Sequence, residues 1–171
     1  MSVFILQMIL ILFSDRRIRR RTHVPNNFRQ SSTEKYIGII ANLVWLLAIG
    51  FSIFLPLLFE SMWFYIGFVV FILGTLLLSL ATYSFITAPP DKLIQKGVYR
   101  ISRNPMYLAT FLILLSAGVS SASFILIILS VIIFICLYYE ALVEERYCSK
   151  IYKDIYKEYK DRVPRWLGLP K

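Results

Sequence analysis

Twelve consecutive residues, Lys96 to Tyr107 (KGVYRISRNPMY), hold Lys96, Arg100, Arg103, Tyr99, Tyr107 and an Asn-Pro helix start, directly before a long apolar run. Arg103 offers a planar fork that grips a carboxylate or a phosphate. A helix starting at Pro105 adds unpaired N–H groups and the positive end of its dipole, which favour the same kind of group. Later in the chain, Glu144 and Glu145 supply acceptors for an ammonium group or for ribose hydroxyls. A zwitterionic nucleoside ligand would match both poles. The same charges also fit a simpler arrangement, in which Arg103 pairs with Glu144 or Glu145 and ties two helix ends together.

These residues need elements that bring them to one place. Of the 171 residues, 58% are hydrophobic, against roughly 45–50% in soluble globular proteins. The composition is that of an all-α integral membrane protein. Spanning helices need about 20 apolar residues each, so four or five would use most of a chain this long and leave no separate soluble catalytic domain. Chemistry then falls to loops, helix ends and the tail of a single membrane domain, residues 1–171.

The apolar runs predict about five transmembrane helices. Met1 to Phe13 is the first, short at 13 residues. Its basic cluster (Arg16, Arg17, Arg19, Arg20, Arg21) follows the apolar run rather than preceding it as in a secretory signal, so an uncleaved span with its N-terminus outside is expected. A polar loop over 24–35 leads to a second span, Tyr36 to Phe59, with Pro56 near its outer end. Glu60-Ser61 forms a tight turn, and Met62 to Ala88 returns as the third span. Gly67 and Gly74 stand seven apart on it, two helical turns, and open one narrow face to close helix packing. Pro89-Pro90 ends that helix.

The second half, 89–171, contains the polar loop, a helical hairpin and a tail. Asn104 is placed as N-cap and Pro105 as first helical residue. The hairpin runs from Met106 to Ala117, breaks at Gly118–Ser123, and returns over Phe124 to Tyr139. Glu144 to Lys160 forms a separate amphipathic helix at the cytoplasmic interface, with Tyr147, Ile151, Tyr152, Ile155, Tyr156 and Tyr159 at spacings of three and four. That tyrosine stripe suits packing or headgroup anchoring better than a binding box. Val163-Pro164-Arg165-Trp166-Leu167 follows as a non-helical cap. The antiparallel hairpin makes the start of one span and the end of the next neighbours, so Arg103, Asn104, Tyr107, Glu140, Glu144 and Glu145 can surround one site.

The net charge of +9 invites nucleic acid as a partner, but its distribution argues against that. All 19 Lys and Arg fall within 14–35, 87–105 and 141–171, and the connections near Glu60 and Gly118–Ser123 carry none. By the positive-inside rule the three basic segments, and with them the C-terminus, are cytoplasmic. The lipid bilayer, with its anionic headgroups, is partner enough for most of that charge. His23 is the one histidine, and Cys136 and Cys148 are separated in role, which speaks against both a metal centre and a disulfide framework.

The ordered set Gly97-x-Tyr99-x-x-x-Arg103-Asn104-Pro105-x-Tyr107, Glu144-Glu145 and Tyr156-x-x-Tyr159-x-x-x-Val163-Pro164-Arg165 resembles the isoprenylcysteine carboxyl methyltransferase and phospholipid methyltransferase superfamily over about residues 90–167. The resemblance implies a helical membrane enzyme that binds S-adenosyl-L-methionine at the cytosolic face. It places Lys96, Gly97, Val98, Tyr99, Arg103, Asn104, Tyr107, Glu144 and Glu145 in the cofactor pocket and moves a methyl group to a lipophilic acceptor. Three positions depart from the family: Asn104 stands where His is frequent, Cys148 where Leu is common, and Tyr152-Lys153 where Phe-Gly is usual. Methyl transfer suits such a site, because holding donor and nucleophile in line supplies most of the catalysis. Arg103 and Glu145 are the expected catalytic pair, Glu145 accepting a proton when the acceptor is an amine. Tyr99 and Tyr107 could face the sulfonium.

Two other classes fit parts of the pattern. Cys148 and Lys150-Ile151-Tyr152 are similar to the acidic-Cys-Lys-Tyr run of NADPH-dependent sterol and steroid reductases, but Leu142-Val143 stand where a basic residue is expected before the acidic pair. A non-catalytic membrane scaffold would need the Arg and Glu residues only for pairing.

Overall fold

The computed structural model describes residues 32–55, 58–89 and 92–168, and the regular elements among them are all helices, without strands. The helices are α1 (Ser32–Ile53), α2 (Met62–Thr87), α3 (Pro105–Ser120) and α4 (Phe124–Arg162), with a short 3₁₀ turn at Gly97–Arg100. The span expected at Met1 to Phe13, the arginine cluster behind it and Pro56 lie outside the described residues.

By length and composition α1, α2 and α4 can each cross a membrane. α3 is apolar but has 16 residues, about 24 Å of helix against a hydrocarbon core of roughly 30 Å. Leu43, Leu46 and Leu47 on α1, Phe68, Leu73 and Leu76 on α2, and Ile125 and Ile128 on α4 are exposed. Apolar faces this extensive suit lipid rather than water.

Besides α3, which runs on to Ser120 where an end at Ala117 is expected, three boundaries differ from the sequence expectation. α1 starts at Ser32 and stops at Ile53, so the segment 32–35 is helix, not loop, and the span is set back toward the N-terminus from 36–59. The early stop has a local cause, because Leu55 precedes a proline and is thereby pushed out of the helical region. α2, at Met62–Thr87, matches its expected limits within a residue. The turn before it is closed by Ser61 N–H donating to the Leu58 carbonyl (2.9 Å), and Ser61 Oγ accepts from Phe64 N–H (3.4 Å) as N-cap. The third difference concerns α4. It does not end near Tyr139 and restart at Glu144 but runs unbroken into the charged tail. Nothing between Tyr139 and Glu144 interrupts a helical backbone; only the polarity changes.

The backbone breaks later, at Lys153, with φ 45° and ψ −118°. That combination is essentially reserved for glycine. The departure from the family's Phe-Gly thus bears on backbone conformation, not only on packing. Replacing exposed Lys153 by glycine is expected to raise stability by about 1 kcal/mol, the relief of strain less glycine's own chain-entropy cost. A thermal melt of the detergent-purified variant should shift upward, and an unchanged or lowered midpoint would contradict the strain.

Two compact units share these helices. In one (Arg29–Leu76 and Tyr107–Leu142), Ala48, Leu126 and Ile133 form a core with Trp45, Leu114 and Leu137 packed against it. The Phe111 and Phe134 rings meet at 4.5 Å. α2 approaches α3 at both of its glycines. A Cβ on Gly67 would strike the Ser120 side chain and lie 2.6 Å from Ser120 N and 2.8 Å from Ser116 O, and one on Gly74 would lie 3.0–3.2 Å from Ile113 and Leu112 atoms. The two-turn spacing therefore does mark the closely packed face. The α3–α4 turn is a Schellman motif: Ser123 N–H donates to Gly118 O (2.9 Å) and Ala122 N–H to Val119 O (3.0 Å), with Ala122 at φ 46°.

The other unit, within Leu77–Met106 and Val143–Lys171, holds the polar loop, the tail half of α4 and the segment beyond it. Its core is Tyr156, Tyr159 and Val163, with Leu93, Cys148 and Tyr152 packed against them. Of the tyrosine stripe, Tyr152, Tyr156 and Tyr159 are interior packing, while Ile151 and Ile155 are exposed.

Candidate active site

The polar loop is shaped from its own sequence. Gly97 takes φ +59° and sits so close to Ser84 that a Cβ there would strike the serine hydroxyl, a position for glycine on both counts. Beyond it the 3₁₀ turn closes with Ile101 N–H and Ser102 N–H donating to the Val98 carbonyl (3.2 and 3.1 Å). Lys96 and Gly97 are exposed, while Val98 and Tyr99 are half-buried. The Tyr159 hydroxyl donates to the Tyr99 carbonyl at 2.7 Å, joining the loop to the tail helix.

The segment after α4 then pairs with the loop backbone. Arg103 N–H donates to Pro164 O (3.0 Å), Asn104 N–H to Arg165 O (3.2 Å), and Gly168 N–H to Ile101 O (3.1 Å). Buried Ser102 donates its hydroxyl to Arg165 O (3.3 Å) and accepts from Asn104 N–H (3.2 Å). The expected non-helical cap is thus a strap laid along residues 101–104.

Glu145 is the centre of the cluster. Arg165 holds it with a fork, Nε to Oε1 at 2.8 Å and Nη2 to Oε2 at 3.1 Å. Arg103 Nη1 stands 3.3 Å from Oε2 as an ion pair, with both side chains only 8% exposed. Asn104, besides its place at the start of α3, donates Nδ2 to Glu145 Oε1 at 3.3 Å and to Arg165 O at 3.4 Å. Arg103 Nε and Nη1 are buried with no hydrogen-bond partner among the described residues. Buried donors of a guanidinium are costly to leave unmet, and an anionic oxygen is the kind of group that would meet them.

Of the residues singled out from sequence, Arg103, Asn104 and Glu145 meet directly. Glu144 is half-buried one position earlier, near enough to Tyr99 and Cys148 to help raise both their pKa values. Tyr107 is on the first turn of α3, half-buried, and belongs to the other unit. Arg165 was not among the expected site residues although its Val-Pro-Arg motif was visible. Its signal was a second arginine accompanying the acidic pair in the motif set.

Burial, first, and then the neighbouring carboxylates hold the phenols of Tyr99 and Tyr156 above the ordinary tyrosine range. Arg103, hydrogen-bonded to Tyr156, opposes the shift there. The Cys148 thiol is pushed up to about 12 from 9.0 by burial, Glu144 and Glu145. Its raised folded-state value means that stability held in full below pH 9 is lost as the pH rises toward about 12. In a Cys136→Ala background, a maleimide should label folded protein slowly at pH 8 and rapidly once it is heated through its melt, since the thiolate is the nucleophile. Fast labelling of folded protein would contradict the burial.

Fold and site together define a helical membrane protein with a buried arginine–carboxylate cluster between a loop and the polar extension of a long apolar helix. A family model described as phospholipid methyltransferase matches residues 62–155, more than half of the chain. The chain belongs to the phospholipid methyltransferase family, a family of membrane methyltransferases. No curated protein matches it significantly.

Proposed function

We propose that this protein transfers a methyl group from S-adenosyl-L-methionine to a lipophilic acceptor, a carboxylate or an amine, at the cytoplasmic membrane face. The observation that carries this reading is the buried Arg103 guanidinium, whose Nε and Nη1 make no hydrogen bond among the described residues although Nη1 ion-pairs with Glu145, beside an acidic pair on the tail half of α4. The donors fit the cofactor's carboxylate, and Glu144 suits its ammonium group or ribose hydroxyls. The half-buried Tyr99 fits as part of the wall, with Lys96, Gly97, Val98 and Asn104 shaping the loop. The bound sulfonium supplies an activated methyl group. The protein's share is to orient the acceptor in line with it and exclude water, which favours a carboxylate nucleophile meeting a cation. For an amine acceptor we assign Glu145 to receive the proton. The distribution of Lys and Arg supports a cytoplasmic C-terminus and an outside N-terminus.

Titration of protein in lipid nanodiscs with S-adenosylmethionine and NADPH tests the cofactor, and binding of NADPH alone would overturn the assignment. Incubation with methyl-labelled cofactor, followed by mass spectrometry of lipids and prenylated peptides, identifies the acceptor. Glu144→Gln is expected to lose cofactor binding while its melt stays near that of the parent. Unchanged affinity would remove Glu144 from the pocket.

A further inference from the structure

Two guanidiniums face one carboxylate in this cluster. Glu145 can neutralise only one of them, and it is Arg165 that takes both its oxygens, at 2.8 and 3.1 Å. Arg103 approaches the same carboxylate at 3.3 Å without hydrogen-bond geometry, and keeps Nε and Nη1 unmatched. Arg165 also lies beyond the stretch matched to the family, which ends at residue 155. Its backbone carbonyl receives Asn104 N–H, Asn104 Nδ2 and Ser102 Oγ, so its main chain and its side chain are both held within the cluster.

We propose that Arg165 is a positioning residue which occupies Glu145 and thereby leaves Arg103 free to bind an anionic group of the ligand. Counting charges gives the reason. Among Arg103, Arg165 and Glu145 the charges sum to one net positive, and with Arg165 in place the donors without a hydrogen bond are Nε and Nη1 of buried Arg103. Without it, Glu145 turns to Arg103, whose better-matched bidentate pairing consumes the donors and leaves a neutral cluster. On this proposal Arg165 acts on Arg103 through Glu145, so its removal should matter little to anion binding once that carboxylate is gone. The ligand's anion is the cofactor carboxylate only if the cofactor reading above is right; the pairing argument needs any carboxylate or phosphate oxygen.

The test uses full-length protein in nanodiscs and two probes. Inorganic phosphate, read as a rise in melting temperature, needs Arg103 alone; S-adenosylhomocysteine, compared with carboxylate-free methylthioadenosine, reads the cofactor's anion. Arg165→Gln should weaken the response to phosphate roughly tenfold, the size of a charge-assisted bond, and should remove the preference for S-adenosylhomocysteine. The same change in a Glu145→Gln background should have little further effect, a pattern that a merely structural role would not give. An Arg165→Gln protein that responds to phosphate like the parent, or an equal loss in both backgrounds, overturns the proposal. If Arg165→Gln does not fold, Arg165→Lys carries the test: its ammonium lacks the fork that holds both Glu145 oxygens, so an intermediate response is expected, and a parental one is contrary. Failure of the parent to bind S-adenosylhomocysteine, with the phosphate pattern intact, removes the cofactor reading and leaves this inference standing.

Discussion

Replacing Arg103 by alanine is expected to weaken S-adenosylmethionine binding by roughly ten- to a hundredfold, the loss of one or two charge-assisted hydrogen bonds, with methyl transfer at low cofactor falling in proportion. The fold should survive. Glu145 retains the Arg165 fork (2.8 and 3.1 Å), so no buried charge is stranded, and stranded charge is what makes most deletions of buried ion-pair partners severe. Arg103→Lys should recover little, since a point charge on a flexible stem does not reproduce a planar fork. The measurement is an isothermal titration of each variant beside its thermal melt. Parental affinity in Arg103→Ala would show that the arginine serves only to tie the loop to α4.

The largest effect on stability is expected at Gly67. An added Cβ would lie 2.6 Å from Ser120 N and 2.8 Å from Ser116 O, and these are backbone atoms of a helix, which cannot rotate aside. Gly67→Ala must push α2 and α3 apart, at a cost of about 1–3 kcal/mol for overpacking, and Gly67→Leu should prevent correct packing altogether. Gly50 on α1 is the control. Nothing lies within 4 Å of a Cβ there, so Gly50→Ala should be neutral or stabilising by up to about 1 kcal/mol from helix propensity. Opposite shifts in melting temperature for the two variants are the expected result; equal shifts would mean that propensity, not contact, governs both sites.

Legibility from sequence followed the reach of each interaction. The spans of α2 and α3, the turn between α3 and α4, and the glycine face of α2 were all readable, because hydropathy, prolines and small-residue spacing act over a few residues. The continuity of α4 through Glu144 was not. A change from apolar to charged residues does not end a helix, which continues wherever its backbone bonds can form, and only the surroundings of its side chains change. The kink at Lys153 was hidden for the opposite reason, since lysine ordinarily continues a helix. Only the family's glycine at that position pointed to it. In the site, Arg103, Asn104 and Glu145 were found through helix ends and their charges. Arg165 was missed because its contact with Glu145 depends on how the strap folds back along residues 101–104, a tertiary arrangement that no local pattern encodes.

The strap has a consequence for the order in which the molecule is made. Ser102, Arg103 and Asn104 are fastened by carbonyls at residues 164 and 165, and Ile101 by the amide of Gly168. A ribosome that has delivered every hydrophobic helix to the membrane has therefore still not supplied the partners that fix this loop. The described helices can insert and pack before this loop is fastened. A nascent chain halted before residue 163 should therefore be integrated in the bilayer yet unable to hold a ligand that depends on the fastened loop.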